Sequence, residues 1–252
     1  METNFLFMCN IEFINQRTIQ KMSNYSLTAI ISIPEVAGYF FPNRHFEHIS
    51  RNMLYSLMVD KLEAIPQIGK IIINTDAGRI KDHYSRYGKI KVIDVYRSEP
   101  QEIELELTSD KVTTAMLEHV ETEHILQLGP IFPFLRQQTI QNAIENYHRY
   151  VLDPEDSRYD SLFTIKAMNR RLYDSDKNMM REDRPNTFVE DGILHIFNRS
   201  TFLANGNRKV GKNPFSYSID DIENLAIDSE ENYRLAVLID EHRYRFPGVF
   251  GR

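Results

Sequence analysis

The chain has 252 residues, 42% hydrophobic and 26% charged, the composition of a folded protein long enough to bury one large core rather than of a disordered chain. A net charge of −6, from acidic and basic residues mixed along the chain, gives no electrostatic footprint for duplex binding, so nucleic acid is not an expected partner. The single Cys9 excludes an internal disulfide framework, and no run approaches the ~18 consecutive apolar residues of a transmembrane helix, which makes a reducing cytoplasm the expected compartment.

Residues 1–21 lack the charged and then apolar pattern of a secretory signal. Met22 opens the stretch M-S-N-Y-S-L-T-A-I-I, which runs directly into apolar chain. We therefore expect a loosely attached N-terminal extension over 1–21 and a single domain over 22–252. Thr28 to Ile33 is a continuous apolar run ended by Pro34, the pattern of a strand buried on both faces. The loop after it, P-E-V-A-G-Y-F-F-P-N-R-H-F, stands at the first strand–loop–helix junction, where α/β proteins commonly gather phosphate on backbone amides. Its chemistry is unusual for that task, because Arg44 is its only Lys or Arg.

Leu54, Leu57, Met58, Leu62 and Ile65 recur at helical spacing and stop at Pro66. Ile71 to Asp76 is a second strand whose polar residues fall at its C-terminal end, the edge where open α/β sheets bind ligands. Lys89 to Arg97 alternates apolar and polar residues, as a more peripheral strand does. Asp110 could cap a helix through about Glu121, His124 to Gln127 reads as a fourth strand, and Gln137 to Tyr150 as the next helix. Strands alternating with helices predict a three-layer α/β/α domain on a mainly parallel sheet. Beyond Val151 the pattern loosens. Ser161 to Ala167, Val189 to Phe197 and Ser216 to Ile219 read as strands, Asn169 to Asn186 as a surface excursion, and Asp228 or Ser229 starts a closing helix through Leu238. The last strands and the loop 205–212 between them suggest a small β-rich lobe or dimer arm.

Several of these pieces stand in one order that resembles the acylneuraminate cytidylyltransferase family. They are Ile72-Ile-Asn-Thr-Asp76, His124-Ile-Leu-Gln127 through Pro133, Tyr159-Asp-Ser-Leu-Phe163, Lys209-Val-Gly-Lys-Asn-Pro214 and Ala226-Ile-Asp-Ser-Glu-Glu231. No single piece is specific, but the ordered set covers roughly Thr28 to Ile239. The resemblance implies a nucleotide-diphospho-sugar transferase-like, Rossmann-like fold, a homodimer, and a reaction in which a hydroxyl of a nonulosonic acid such as sialic acid attacks CTP to give a CMP-sugar and pyrophosphate for surface-polysaccharide synthesis. It also implies Mg²⁺, held in the family by two aspartates.

The departures fall where the family's charges lie. The family loop P-x-R/K-x-x-S-x-R-x-P-x-K-N places cations where this chain carries Val36 and Phe41, with Arg44 in place of the later lysine, and Ala226 stands where the first metal aspartate would be. The resemblance thus leaves Arg44 as the catalytic cation at the phosphate end, Gln127, Asp76 and Arg97 as substrate contacts, and Asp228 as the metal ligand. Each has an ordinary alternative. Asp228 begins D-S-E-E, a helix capping box; Gln127 could be a polar loop residue; Arg44 and Arg97 could be surface cations; and Asp76 could cap the next segment. Tyr39, Phe40 and Phe41 could stack on a base or plug a vacated phosphate pocket. Two functions follow: a working cytidylyltransferase, or a catalytically silent homologue that binds a sugar, a nucleotide or a protein partner.

Overall fold

The structure, a computed structural model, describes residues 26–36, 41–49, 51–95, 110–167, 172–173, 179–181 and 188–242. The expected extension over 1–21, Tyr39, Phe40 and Arg97 lie outside these residues.

Strand β1 (Leu27–Ser32) is buried along its whole length because it pairs in parallel with a strand on each side, β4 (Ile68–Asn74) and β6 (His124–Leu128). A residue run with no polar face can sit only there. Ile30 lies opposite Ile72 on one side and Gln127 on the other. Strands β2 (His48–Ile49) and β3 (Asn52–Met53) pair with each other as a separate short ladder, and β5 (Ile90–Ile93) extends the main sheet beyond β4. On the other flank come β10 (Phe188–Asn198), β7 (Ser161–Ala167) and β11 (Pro214–Ser218), giving the seven-stranded order β11-β7-β10-β6-β1-β4-β5. The neighbours pair in parallel except around β10, which is antiparallel to both β6 and β7.

Helices cover both faces. Helices α1 (Leu54–Glu63), α2 (Gly78–Tyr84) and α4 (Gln137–Tyr147) bury Met58, Leu62, Ile80, Ile140 and Ile144 against Ile31, Ile71 and Ile73. On the opposite face, α3 (Asp110–Leu117) and α5 (Arg199–Ala204) pack Val112, Met116 and Phe202 on Ile30, Ile72 and Ile125. Each fully buried aliphatic side chain contributes about 1.5–3 kcal/mol relative to exposure. These two layers on one sheet are the three-layer α/β/α architecture expected. A third, smaller cluster joins α6 (Glu230–His242) to the start of α1 through Ile49, Leu54, Ile227 and Ala236. No helix of the described residues is long and apolar enough to cross a membrane.

Three expectations change. The β10 and β11 segments do not form a separate lobe; they extend the main sheet. Ile193, Leu194, Ile196 and Phe197 are apolar on both faces, so β10 is buried centrally between β6 and β7. Among the described residues of this half of the chain, only the short ladder of β8 (Leu172–Tyr173) and β9 (Met179–Arg181), inside the expected excursion, stands apart from the sheet. Helix α3 ends at Leu117 and continues only as a turn, and α4 gives way at His148 to one π-helical turn over His148–Leu152.

Candidate functional site

The C-terminal ends of β1, β4 and β6 lie side by side because the three strands are parallel, so the loops that follow them gather at one edge of the sheet. Asn74, at the end of β4, is buried; its Nδ2 donates to Ser32 Oγ on β1 at 3.4 Å and its Oδ1 accepts the Val95 amide at 3.0 Å. Asp76 is exposed, and its Oδ1 accepts the Glu35 amide at 2.7 Å. It therefore ties the loop after β1 to the end of β4 instead of capping α2, whose N-cap position is Ala77.

The loop after β1 packs through Phe41. That ring is half-buried against Tyr233 of α6, with ring centroids 5.7 Å apart, and packs on the cluster of Ile49, Leu54 and Ile227. Arg44 opens a 3-10 turn (Arg44–Phe46) and is only 2% exposed, so it is not a surface cation. Its Nη1 reaches the backbone carbonyl of Asp228 at 3.5 Å. His45 beside it is fully buried, and neither ring nitrogen has a hydrogen-bond partner among the described residues. Burial, reinforced by the Arg44 charge, pushes its pKa down to about 3, so it is neutral. Arg79 from α2 lies over the Phe46 ring, its guanidinium carbon 3.7 Å from the centroid. Val36, at the expected cation position, is 47% exposed.

Asp228 does not cap α6. Ser229 does, its Oγ accepting the Asn232 amide at 3.3 Å, while the Asp228 carboxylate accepts from Asn232 Nδ2 at 2.8 Å. Ala226 is half-buried against the main core. No three His, Cys, Asp or Glu side chains among the described residues group as a metal-binding set. One exposed carboxylate already holding an amide does not make a resident Mg²⁺ site, since this ion takes one or two carboxylates together with phosphate oxygens.

The other face of the same edge has kept its polarity. Gln127, next to last in β6, is 2% exposed, and its Oε1 accepts the Thr113 hydroxyl of α3 at 2.8 Å. It sits on a strand, not in a loop. His195 of β10 lies directly opposite it, is 1% exposed, and its Nε2 is 2.6 Å from Glu190 Oε1. This contact exists because β10 bulges. Glu190 pairs with Ile165 and His195 with Phe163, so five steps along β10 match two along β7, and Gly192 at φ 71° turns the chain back. The imidazole contact holds the Glu190 carboxyl below its usual range. Asp191 anchors the bulge, accepting from Thr164 Oγ1 and from the Ile193 amide on one oxygen and from Asn224 Nδ2 on the other.

Lys209 completes this polar face. Its buried Nζ is 3.5 Å from Asp110 Oδ1 at the start of α3; burial pushes its pKa down, against the opposing pull of Asp110 and Glu190. Its loop is held from β7. Asp160 Oδ2 accepts the amides of Lys212 and Asn213 at 2.7 and 3.0 Å, and Ser161 Oγ accepts that of Gly211 at 2.9 Å. The two sequence pieces Y-D-S-L-F and K-V-G-K-N-P are therefore one interlocked unit.

Of the residues singled out by sequence, Asp76, Arg44 and Asp228 gather at the loops of one edge, and Gln127 faces the α3 side of it. Thr113, Glu190, His195 and Lys209 were not singled out as site residues. A histidine inside I-L-H-I-F reads as core, and its only local signal is the turn-prone Asp191-Gly192 after Glu190.

A family model described as Cytidylyltransferase matches residues 41–244. A search of curated proteins finds no match. Among solved structures the chain is similar to 4-diphosphocytidyl-2C-methyl-D-erythritol synthase from Anaerococcus prevotii DSM 20548, at 14% identity over 87% of this chain and 98% of that one, with a TM-score of 0.64. It is similar also to a CMP:2-keto-3-deoxy-manno-octonic acid synthetase complexed with CTP, at 10% identity over 87% of this chain and 100% of that one, with a TM-score of 0.59. At these identities the structural likeness speaks for the fold. The family match spans most of the chain and carries the assignment: the chain belongs to the cytidylyltransferase family.

Proposed function

We propose that the protein activates a nonulosonic, sialic-type sugar acid for surface-polysaccharide synthesis by cytidylyl transfer. A hydroxyl of the acid attacks the α-phosphorus of CTP, the bond to the β-phosphate oxygen breaks, and pyrophosphate leaves. The observation that supports this reading is the buried polar face of Gln127, His195 and Lys209 at the ligand-binding edge of the sheet in a chain of this family. His195 Nδ1 on that face has no hydrogen-bond partner among the described residues, and a polyhydroxylated acid offers hydroxyl partners. In this reading Gln127 contacts the sugar, Asp76 positions the loop after β1, Arg97 contacts substrate, and Arg44 lies at the phosphate end. A Mg²⁺ arriving on the triphosphate would meet Asp228 as its one carboxylate.

A second reading has its own observation. Phe41 packs on Tyr233, and Arg44 is turned inward to the Asp228 carbonyl, so the phosphate end offers an apolar plug where charge is needed. In that reading the protein binds the sugar acid and does not transfer. Calorimetric titration with CTP and Mg²⁺, followed by pyrophosphate release over a panel of nonulosonic acids, separates the two. Sugar-dependent release supports the transferase; sugar binding with no CTP binding at millimolar concentration supports the silent homologue.

Two further expectations belong to this reading. Cytoplasmic location follows from the need for CTP. A homodimer is supported by Phe188 and Val189, apolar and 49% and 39% exposed where β10 emerges from the β8–β9 excursion. Sedimentation of the wild type and of Phe188→Ser checks it, with the variant shifting toward monomer.

A further inference from the structure

We propose that Glu190 and His195 form the proton-accepting pair of the transfer, with His195 Nδ1 taking the proton from the attacking hydroxyl of the sugar acid. The inference rests on the transferase reading for its reaction, and on three features of this chain for its residues.

The first is the fixed tautomer. A carboxylate can only accept a hydrogen bond, so the 2.6 Å contact with Glu190 puts a hydrogen on Nε2 and, in the neutral ring, leaves the lone pair at Nδ1. The second is that Nδ1 is buried and has no hydrogen-bond partner among the described residues. A buried acceptor left in that state is costly, and a ligand hydroxyl would satisfy it. The third is position. His195 lies directly opposite Gln127, two strands from β1. Lys209 pairs with Asp110 at the start of α3, the helix whose Thr113 holds Gln127, and its charge acts on Glu190, so polar groups gather beside this stretch of β10.

The bulge explains why a simple strand would not suffice. In regular pairing, Glu190 and His195 would point to opposite faces, because they are five residues apart. The turn at Gly192 brings the carboxylate back to the imidazole. In the proposed step, the hydroxyl O–H breaks as oxygen bonds to the α-phosphorus. The proton goes to Nδ1, the electron pair of the breaking P–O bond leaves with pyrophosphate, and the Glu190 carboxylate stabilises the imidazolium.

The test uses the full-length protein and N-acetylneuraminic acid as probe. In ¹⁵N spectra of the free protein, His195 is expected to show a protonated Nε2 and a bare Nδ1, and saturation with the acid alone should move Nδ1 as it gains a hydrogen bond. Glu190→Gln and His195→Gln should lower kcat about 10²–10⁴-fold with KM changed little, the range for loss of a general base. Glu190→Gln should in addition disturb the Nε2–H tautomer, which a merely structural role would not require. The half-exposed Glu190 keeps the test usable if the His195 variant fails to fold. An unmoved Nδ1 while calorimetry records binding of the acid, no binding of the acid at all, or unchanged kcat in the folded Glu190→Gln variant would each overturn the proposal. A moved Nδ1 in a protein that releases no pyrophosphate would keep the hydroxyl-accepting site and remove the transferase reading, so the two failures are told apart.

Discussion

Gly211→Ala is expected to unfasten the loop that carries Lys209. A Cβ at position 211 would stand 2.0 Å from Asp160 Oδ1 and 2.5 Å from Oδ2, closer than any real contact, so the carboxylate must leave its place. Backbone conformation is not the cause, since the clash alone decides it. With the carboxylate go the Oδ2 bonds from the Lys212 and Asn213 amides at 2.7 and 3.0 Å. Net contributions of about 1.5–3 kcal/mol are typical of a bond to a charged group. Asp160 is only half-buried and regains water, so we expect about 3 kcal/mol in total rather than the upper sum. At about 2–4 °C per kcal/mol for a chain of this size, Tm should fall by about 6–12 °C. Urea unfolding of Gly211→Ala, Asp160→Ala and the double variant tests the cause as well as the size. With Asp160 removed the clash is gone, so the double variant should cost barely more than Asp160→Ala, a coupling of about 2–3 kcal/mol. Additivity of the single effects within about 0.5 kcal/mol would refute the cradle.

Three other changes test the rest of the edge. His45 has its pKa pushed below the unfolded value, to about 3, so the unfolded chain binds the extra proton: the stability tied to neutral His45 is present above about pH 6.5 and is lost as pH falls toward 3, by up to about 1.4 kcal/mol per pH unit. His45→Leu should flatten that acid slope in urea titrations at several pH values and raise stability at neutral pH by about 1 kcal/mol, because it removes two unpaired buried nitrogens. Glu223, buried beneath the start of α4, accepts the Arg136 amide and the Thr139 hydroxyl at 2.9 Å and pairs with the Arg136 guanidinium, so Glu223→Ala should cost about 2–4 kcal/mol in the same assay. Val36→Arg meets open solvent and should keep wild-type stability while tightening CTP binding severalfold in calorimetry, whereas Phe41→Arg should destabilise by about 2 kcal/mol through its lost packing.

The parallel half of the fold was legible because its strands have no polar face: Ile30, Ile31, Ile71, Ile72 and Ile73 can be buried only between neighbours in a layered sheet. The polar strand ends of β4 and β6 were legible for the same reason, since Asn74 and Gln127 interrupt apolar runs. What could not be read were pairings across long stretches of chain. The Asp160 cradle joins residues about fifty apart, and the sequence pieces containing them say nothing of their contact. The antiparallel place of β10 was equally hidden, because an apolar strand announces burial but not direction. Asp228 shows the limit of a local motif. D-S-E-E offers two capping residues, and geometry chose Ser229, leaving the aspartate to hold Asn232.

The loop after β1 and the segment around Asp228 are best understood as one packed piece. Phe41 lies on Tyr233, Arg44 reaches the Asp228 carbonyl, and the Tyr233 hydroxyl donates to the His48 carbonyl at 3.2 Å, so three contacts stitch the loop to the start of α6. Phe41 packs on the small cluster of Ile49, Leu54 and Ile227, whereas Ala226 packs against the main core. A cation at position 41 would lose the contact that Phe41 makes, and a carboxylate at 226 would enter a half-buried place against the core. In the transferase reading, the triphosphate must either open the Phe41–Tyr233 and Arg44–Asp228 contacts or lie beside them.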